Sequence, residues 1–295
     1  MLLGTLEQSF IFAVMVLGVY ISYKILDFPD MTVDGSFPLG AAVAAASIVK
    51  GLNPVLALIL AMAAGAAAGF ITGMIHVKLR VTNLLAGIIV MTGLYSINLR
   101  IMGKSNIPLF SVKHLFNGNV SAIVVVGVIL LIVKLGIDFL LKTKFGFALK
   151  ALGDNESLII SLGLNEKTLK IYGLMLANSL VALSGAVLAQ YQGFADVGMG
   201  TGTIITGLAS IIIGDALFGK KKAIKISMMV IFGTIIYRTI IALSLKVGMN
   251  ASDLKLITSA LVVIIIFLKE KKHLLKGSLQ IKRHITSDKL SGNVR

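Results

Sequence analysis

Apolar residues run along this chain in long unbroken stretches, 8–26, 53–77, 84–99, 120–141, 168–191, 200–218, 224–245 and 254–268, parted by short polar or charged segments. Each approaches or exceeds the roughly 17–25 residues that a helix needs to cross a bilayer. A shorter ninth stretch covers 36–50. Strands of a membrane barrel would alternate apolar and polar positions over about ten residues, and these stretches do not alternate. The pattern predicts an all-α integral membrane protein of about nine transmembrane helices, within a range of 8–10. They form one membrane domain, 1–268, followed by a polar, basic tail, 269–295. Residues 1–26 lack a basic leader and a small-residue cleavage site, so the first stretch reads as a retained helix.

Composition agrees: 57% hydrophobic residues, 14% charged and a mean hydropathy of +0.95 exclude an ordinary soluble domain. The net charge of +15 raises the question of nucleic acid. Its distribution answers with membrane topology instead. With the carboxyl terminus in the cytoplasm and nine spans alternating, the amino terminus lies outside. Of 28 Lys and Arg, 20 then fall on the cytoplasmic side, among them Lys24, Lys78, Arg80, Lys142, Lys144, Lys150, Lys167, Lys170, the group Lys220, Lys221, Lys222 and Lys225, and those of the tail. This is the positive-inside asymmetry, with attraction to the anionic lipid bilayer and no nucleic-acid partner. The absence of cysteine removes disulfide and thiol chemistry.

Two polar segments interrupt the apolar pattern. The first, the first cytoplasmic loop Asp27 to Pro38, brings together Asp27, Asp30 and Asp34 with Pro29 and Pro38 beside the short 36–50 stretch; proline and glycine there forbid a continuous helix, and broken backbone at membrane depth needs protein or a water-filled cavity around it. The second, Gly193 to Thr203, precedes the 200–218 stretch. Triplets 36–99 and 200–268 run in opposite directions in this topology, the arrangement of an inverted repeat with interrupted helices near a substrate site. Gly65, Gly69 and Gly73 form a flat face on which another helix packs closely. Lys134 and Asp138, at i and i+4, are placed to neutralise each other within a span. Arg238 has no carboxylate at helical spacing, which leaves Asp196, Asp215 or a substrate carboxylate as its partner.

Other patterns carry less. Gly214 to Lys221 imitates a phosphate-binding loop, but Lys221 stands where a hydroxyl must hold magnesium, and the segment closes a membrane helix. Gly198, Gly200 and Gly202 lack both the third glycine and the βαβ setting of a dinucleotide fingerprint. His76, His114, His273 and His284 have no metal-ligand spacing, and no catalytic constellation appears. A non-enzymatic protein that binds no cofactor or metal of its own is the expectation.

The one long polar-punctuated insert, 143–167, is ringed by lysines. Asp154 or Asn155 is placed to cap a short helix whose apolar face holds Leu158, Ile159 and Leu162. Such a knob either lies on lipid headgroups or docks a cytosolic partner. Gly153, Asn155, Glu156 and Gly163 resemble the coupling loop of ABC importer permeases of the branched-chain amino acid and ribose group, in which a Gly-x-Asn-Glu core precedes a second glycine. Similarity extends through 176–190 and 207–217. The segments Thr32 to Phe37 and Tyr191 to Asp196 look most like the members of that group assigned to tryptophan or tyrosine uptake.

The resemblance implies the permease subunit of an ATP-driven importer in a bacterial cell membrane. A second permease copy completes the pathway, and an extracytoplasmic solute-binding protein delivers the solute. Two cytosolic ATP-binding subunits, which use the ATP and Mg, grip Gly153, Asp154, Asn155, Glu156, Leu158, Ile159, Leu162 and Gly163. An amino acid is the first expectation for the solute and a sugar or nucleoside the second. Polar residues within the spans are the candidate pathway: Asn83, Tyr95, Asn98, Asn178, Ser179, Gln190, Thr203, Thr206 and Ser210. Each is equally suited to interhelical hydrogen bonding, worth about 0.6 kcal/mol. An ion-coupled secondary transporter is the rival class; it needs an intramembrane carboxylate, and Asp138, with Lys134 beside it, is the only clear one in the pattern.

Overall fold

The computed structural model describes residues 2–118, 120–219 and 225–248, with isolated positions 253, 256, 258–260, 263 and 267. Most of the 254–268 stretch, Lys220, Lys221, Lys222, His273, His284 and the tail 269–295 lie outside the described residues.

Among the described residues, ten continuous α-helices follow in order: α1 (Leu2–Tyr20, continued by a π-turn at Ile21–Ile25), α2 (Val33–Val49), α3 (Pro54–Leu79), α4 (Asn83–Met102), α5 (Ala122–Leu140), α6 (Lys144–Asp154), α7 (Glu156–Ser161), α8 (Glu166–Gln192), α9 (Thr203–Phe218) and α10 (Ile226–Lys246). Strands β1 (Asn106–Pro108) and β2 (Phe194–Asp196) form a small antiparallel ribbon with Ile107 opposite Ala195. Seven helical segments among the described residues are long and apolar enough to cross a membrane; α2, at 17 residues, is a shorter apolar helix.

The expectation of a break between Asp27 and Pro38 is corrected in position. The chain leaves the helical path after Leu26, where Asp27 takes φ 51°, and resumes it at Val33. Pro38 then lies inside α2. A proline there has no N–H for the Asp34 carbonyl. Gly200 packs onto that carbonyl, and any Cβ at Gly200 would overlap it.

α8 is the hub. The glycine face of α3 lies against it, with Gly65 on Asn178, Gly69 on Leu174 and Gly73 on Ile171. Gly18 of α1 abuts Ala177, Gly40 of α2 abuts Ala182, and Gly185 of α8 abuts the Phe37 carbonyl. Small residues let backbones approach until dispersion and polar contacts across helices do what the hydrophobic effect cannot do in lipid. At the far side of α1, Gly207 of α9 rests on Val19, and Gly233 of α10 rests on Ser210. Because Gly40 is level with Ala182 and Gly207 with Val19, α2 and α9 both begin near the middle of the bundle.

Candidate functional site

The amino-terminal ends of α2 and α9 meet at Asp34. Its Oδ1 accepts hydrogen bonds from Thr203 Oγ1 (2.8 Å) and Ile204 N (2.8 Å), and its Oδ2 accepts from Gly202 N (2.9 Å). The carboxylate thus caps α9 from another helix while it occupies the first turn of its own, where both helix dipoles favour negative charge. The Gly198, Gly200 and Gly202 series forms a short 3₁₀ turn that leads into α9, with Gly198 N donating to Asp196 Oδ1 (2.7 Å) and Gly202 at φ 84°.

A neighbouring network is fully buried. Asp30 accepts from Thr32 N (2.9 Å) and from Asn178 Nδ2 (2.7 Å), Ser36 Oγ donates to Asn178 Oδ1 (2.7 Å), and the Thr32 and Thr72 hydroxyls are 2.7 Å apart. Asp30 and Asp34, with Glu7 bonded to Tyr191 Oη at 2.7 Å, correct the expectation that Asp138 is the only carboxylate inside the bundle.

Beside Asp34 opens a cleft of about 220 Å³, lined by α2 (Asp34, Gly35, Pro38), α4 (Met91, Thr92, Tyr95, Asn98) and the turn before α9 (Val197, Gly198, Thr201). Tyr95 and Asn98 are the candidate pathway residues that face it. Thr203 binds Asp34 instead; Thr206 and Ser210 bond back to the Gly202 and Thr206 carbonyls of their own helix. Ser179 does likewise with Leu176, while Gln190 Oε1 accepts from Leu115 N at 3.1 Å. Asn83 is the first residue of α4, half-buried at the opposite end of that helix from the cleft.

The intramembrane charges find local partners. Lys134 Nζ lies 2.9 Å from Asp138, which also accepts from Ser227 Oγ (2.6 Å) and has Lys225 at 3.6 Å. Arg238 corrects the expectation of a carboxylate partner: it donates to Gln8 Oε1 and lies 4.0 Å from the centre of the Phe12 ring, both on α1. A cation over an aromatic face with an amide acceptor is satisfied without an opposite charge. His76 Nδ1 is 2.7 Å from the Val81 carbonyl, and the described residues contain no cluster able to hold a metal ion.

The insert forms two helices in place of one. Thr143 caps α6 through Gly146 N, and Asn155 ends α6 and caps α7 through Leu158 N (3.3 Å). Asp154 and Gly163 are not caps; Asp154 is the exposed last residue of α6, and Gly163 turns the chain at φ 73°. Gly153 faces inward, where a Cβ would overlap the Ile25 carbonyl at the end of α1. The expected apolar face is divided: Ile159 is buried, whereas Leu158, Ile160, Leu162 and Leu164 are exposed. Lys170 Nζ donates to Glu156 Oε1 at 2.8 Å and holds α7 against the start of α8, beside a cleft that also includes His76 and Arg80.

A family model described as branched-chain amino acid transport system, permease component, matches residues 1–268. The chain belongs to this family. It is a multi-pass membrane permease of the ABC type. It is 50% identical over 289 residues, 98% of this chain and 95% of the relative, to a tyrosine transport system permease protein of Clostridioides difficile (strain R20291). An uncharacterized protein of Rickettsia prowazekii (strain Madrid E) is 39% identical over 87% of the chain and 93% of its own length. The ribose import permease of Escherichia coli (strain K12) is 27% identical over 92% of the chain and 85% of its own length. No solved structure matches the permease.

The candidate pathway and coupling residues leave out Asp30, Asp34, Thr92, Thr201 and Lys170, although Asp30 and Asp34 stand in the interrupted segment and Lys170 among the basic residues. For the two aspartates the signal was present: carboxylates beside a stretch too short to cross alone mark backbone held inside protein. Nothing in the sequence ties Lys170 to Glu156, because 14 positions separate them across a turn.

Proposed function

We propose that this permease imports an aromatic amino acid, tyrosine before tryptophan, with energy from ATP-binding subunits that seat on α6 and α7. The observation that carries the substrate is the 50% identity, across nearly the whole of both chains, to a tyrosine permease. The observation that supports the coupling role is the exposed apolar row Leu158, Ile160, Leu162 and Leu164 on an element anchored to α1 and α8. An exposed apolar row on a short, firmly seated element suits a protein socket. The end bearing α6 and α7 is cytoplasmic, in accord with Lys24, Lys78, Arg80, Lys167 and Lys170 gathered at helix ends there. A second copy of the chain and an extracytoplasmic binding protein complete the importer. Nucleotide biases its two states through differential contact with α6 and α7.

The test is uptake of labelled L-tyrosine into vesicles carrying the permease with the ATPase that co-purifies with it, supplied with the extracytoplasmic binding protein. ATP-dependent accumulation that L-tryptophan or unlabelled L-tyrosine competes away, and that ribose does not, is the expected result. Accumulation that follows a sodium or proton gradient without ATP would overturn the reading in favour of an ion-coupled carrier.

A further inference from the structure

The cleft beside Asp34 has a chemical bias beyond its position. Asn98 is fully buried in its wall and donates from Nδ2 to the Gly35 carbonyl at 3.3 Å, which fixes the orientation of the amide. The other end of that amide, Oδ1, has no hydrogen-bond partner among the described residues. A buried acceptor left without a donor costs free energy unless a ligand or a water supplies one. Asp34, also in the lining, accepts three hydrogen bonds; a carboxylate offers about four acceptor sites, so capacity remains. The lining includes no Lys or Arg, and Asp34 is its one charged residue. The remaining wall joins the apolar and aromatic Pro38, Met91, Val197 and Tyr95 with the uncharged Thr92 and Thr201. At about 220 Å³ the space suits one small solute, below the roughly 300–1,000 Å³ of typical ligand pockets.

We infer that this cleft is a passage subsite for the ammonium group of the transported amino acid, with Asn98 Oδ1 and Asp34 as its acceptors and Tyr95 beside the side chain. This deepens the proposed function and rests on it for the identity of the solute. The acceptors themselves define the class: a primary ammonium donates three hydrogen bonds and carries positive charge, which a sugar does not. In the state described here the subsite is closed over Asn98, and the solute reaches it when α4 and the turn before α9 part.

The chain has no cysteine, so a single introduced thiol reports on the cleft without background. Thr201, exposed in the lining, is the position. The full-length Thr201→Cys permease in membrane vesicles is treated with 2-aminoethyl methanethiosulfonate, a cation, or the 2-sulfonatoethyl reagent, an anion. The rates are normalised to those on a small free thiol. The expected result is a cation preference of about tenfold or more, lowered by Asn98→Leu and raised by Asn98→Asp. Opposite shifts from two substitutions at one position are not produced by misfolding. A preference at or below unity, a preference that neither substitution moves, or no modification by either reagent would overturn the assignment. Labelling requires no transport, so its failure is distinct from a failure of tyrosine uptake.

Discussion

Helices α8 and α5 are both apolar, both of membrane length and both carry two glycines, yet they meet opposite surroundings. In α8, 78% of the most apolar stretch is buried; in α5 the share is 22%. A Cβ at Gly185 of α8 would overlap the Phe37 carbonyl, and one at Gly173 would crowd Leu26. At Gly127 and Gly136 of α5 a Cβ would meet nothing within 4 Å. The more hydropathic of the two is the exposed one. In a bilayer the apolar surface faces lipid at no cost, so small and polar residues, rather than apolar ones, mark the interior.

The sharpest way to break that comparison is to fill both kinds of glycine. Gly185→Leu forces α2 away from α8 and costs about 3 kcal/mol or more by overpacking. The expected result is loss of the monodisperse peak in detergent size-exclusion chromatography. Gly136→Leu leaves that peak unchanged. Equal profiles for the two variants would end the distinction between hub and periphery.

A smaller effect is expected where the same kind of backbone contact occurs at the edge of the fold. Gly153→Ile lifts α6 off the Ile25 carbonyl while the helices of the bundle keep their contacts. Its cost is about 1 kcal/mol, at the low end for overpacking. The permease should remain in the membrane at normal abundance and lose both ATP-driven uptake and retention of the ATPase on affinity purification. Normal uptake by this variant would show that the seat of α6 on α1 has no part in coupling.

The smallest stability effect belongs to the ion pair between Glu156 and Lys170. Partly exposed pairs contribute about 0–1 kcal/mol, so neither partner is needed for folding. Glu156→Lys is nonetheless expected to cut uptake about tenfold or more, because it swings α7 away from α8 and moves the exposed leucines. Combining it with Lys170→Glu should restore most of the uptake, with the melting temperature of both variants close to that of the parent chain. Loss without rescue would assign Glu156 to the partner's surface instead.

Spans were legible wherever hydropathy alone decides them: stretches 53–77, 84–99, 120–141 and 224–245 became α3, α4, α5 and α10 within a few residues. The glycine face of α3 was legible too, because spacing by four on a helix is local information. What the pattern could not give were the depths at which α2 and α9 begin. Those depend on Asp34 meeting Gly202, Thr203 and Ile204, about 170 positions away in sequence. Arg238 was misjudged for a related reason: charge arithmetic looks for a carboxylate, and the structure answers with an amide and a ring on α1. Leu158 and Ile159 are neighbours on α7, and which of them faces inward is decided by the packing of α7 in the fold, which spacing along the chain does not specify.

The seat of Gly153 on Ile25 has a mechanical meaning. From Ile25 the backbone runs nine residues to Asp34, a reach of about 30 Å at most when extended, and Asp30 tethers it to α8 along the way. Two points on one such segment cannot separate beyond that reach. In the coupling proposed for α6, a displacement of Ile25 would reach the cap of α9 through this one segment, without a chain of sliding helices between them.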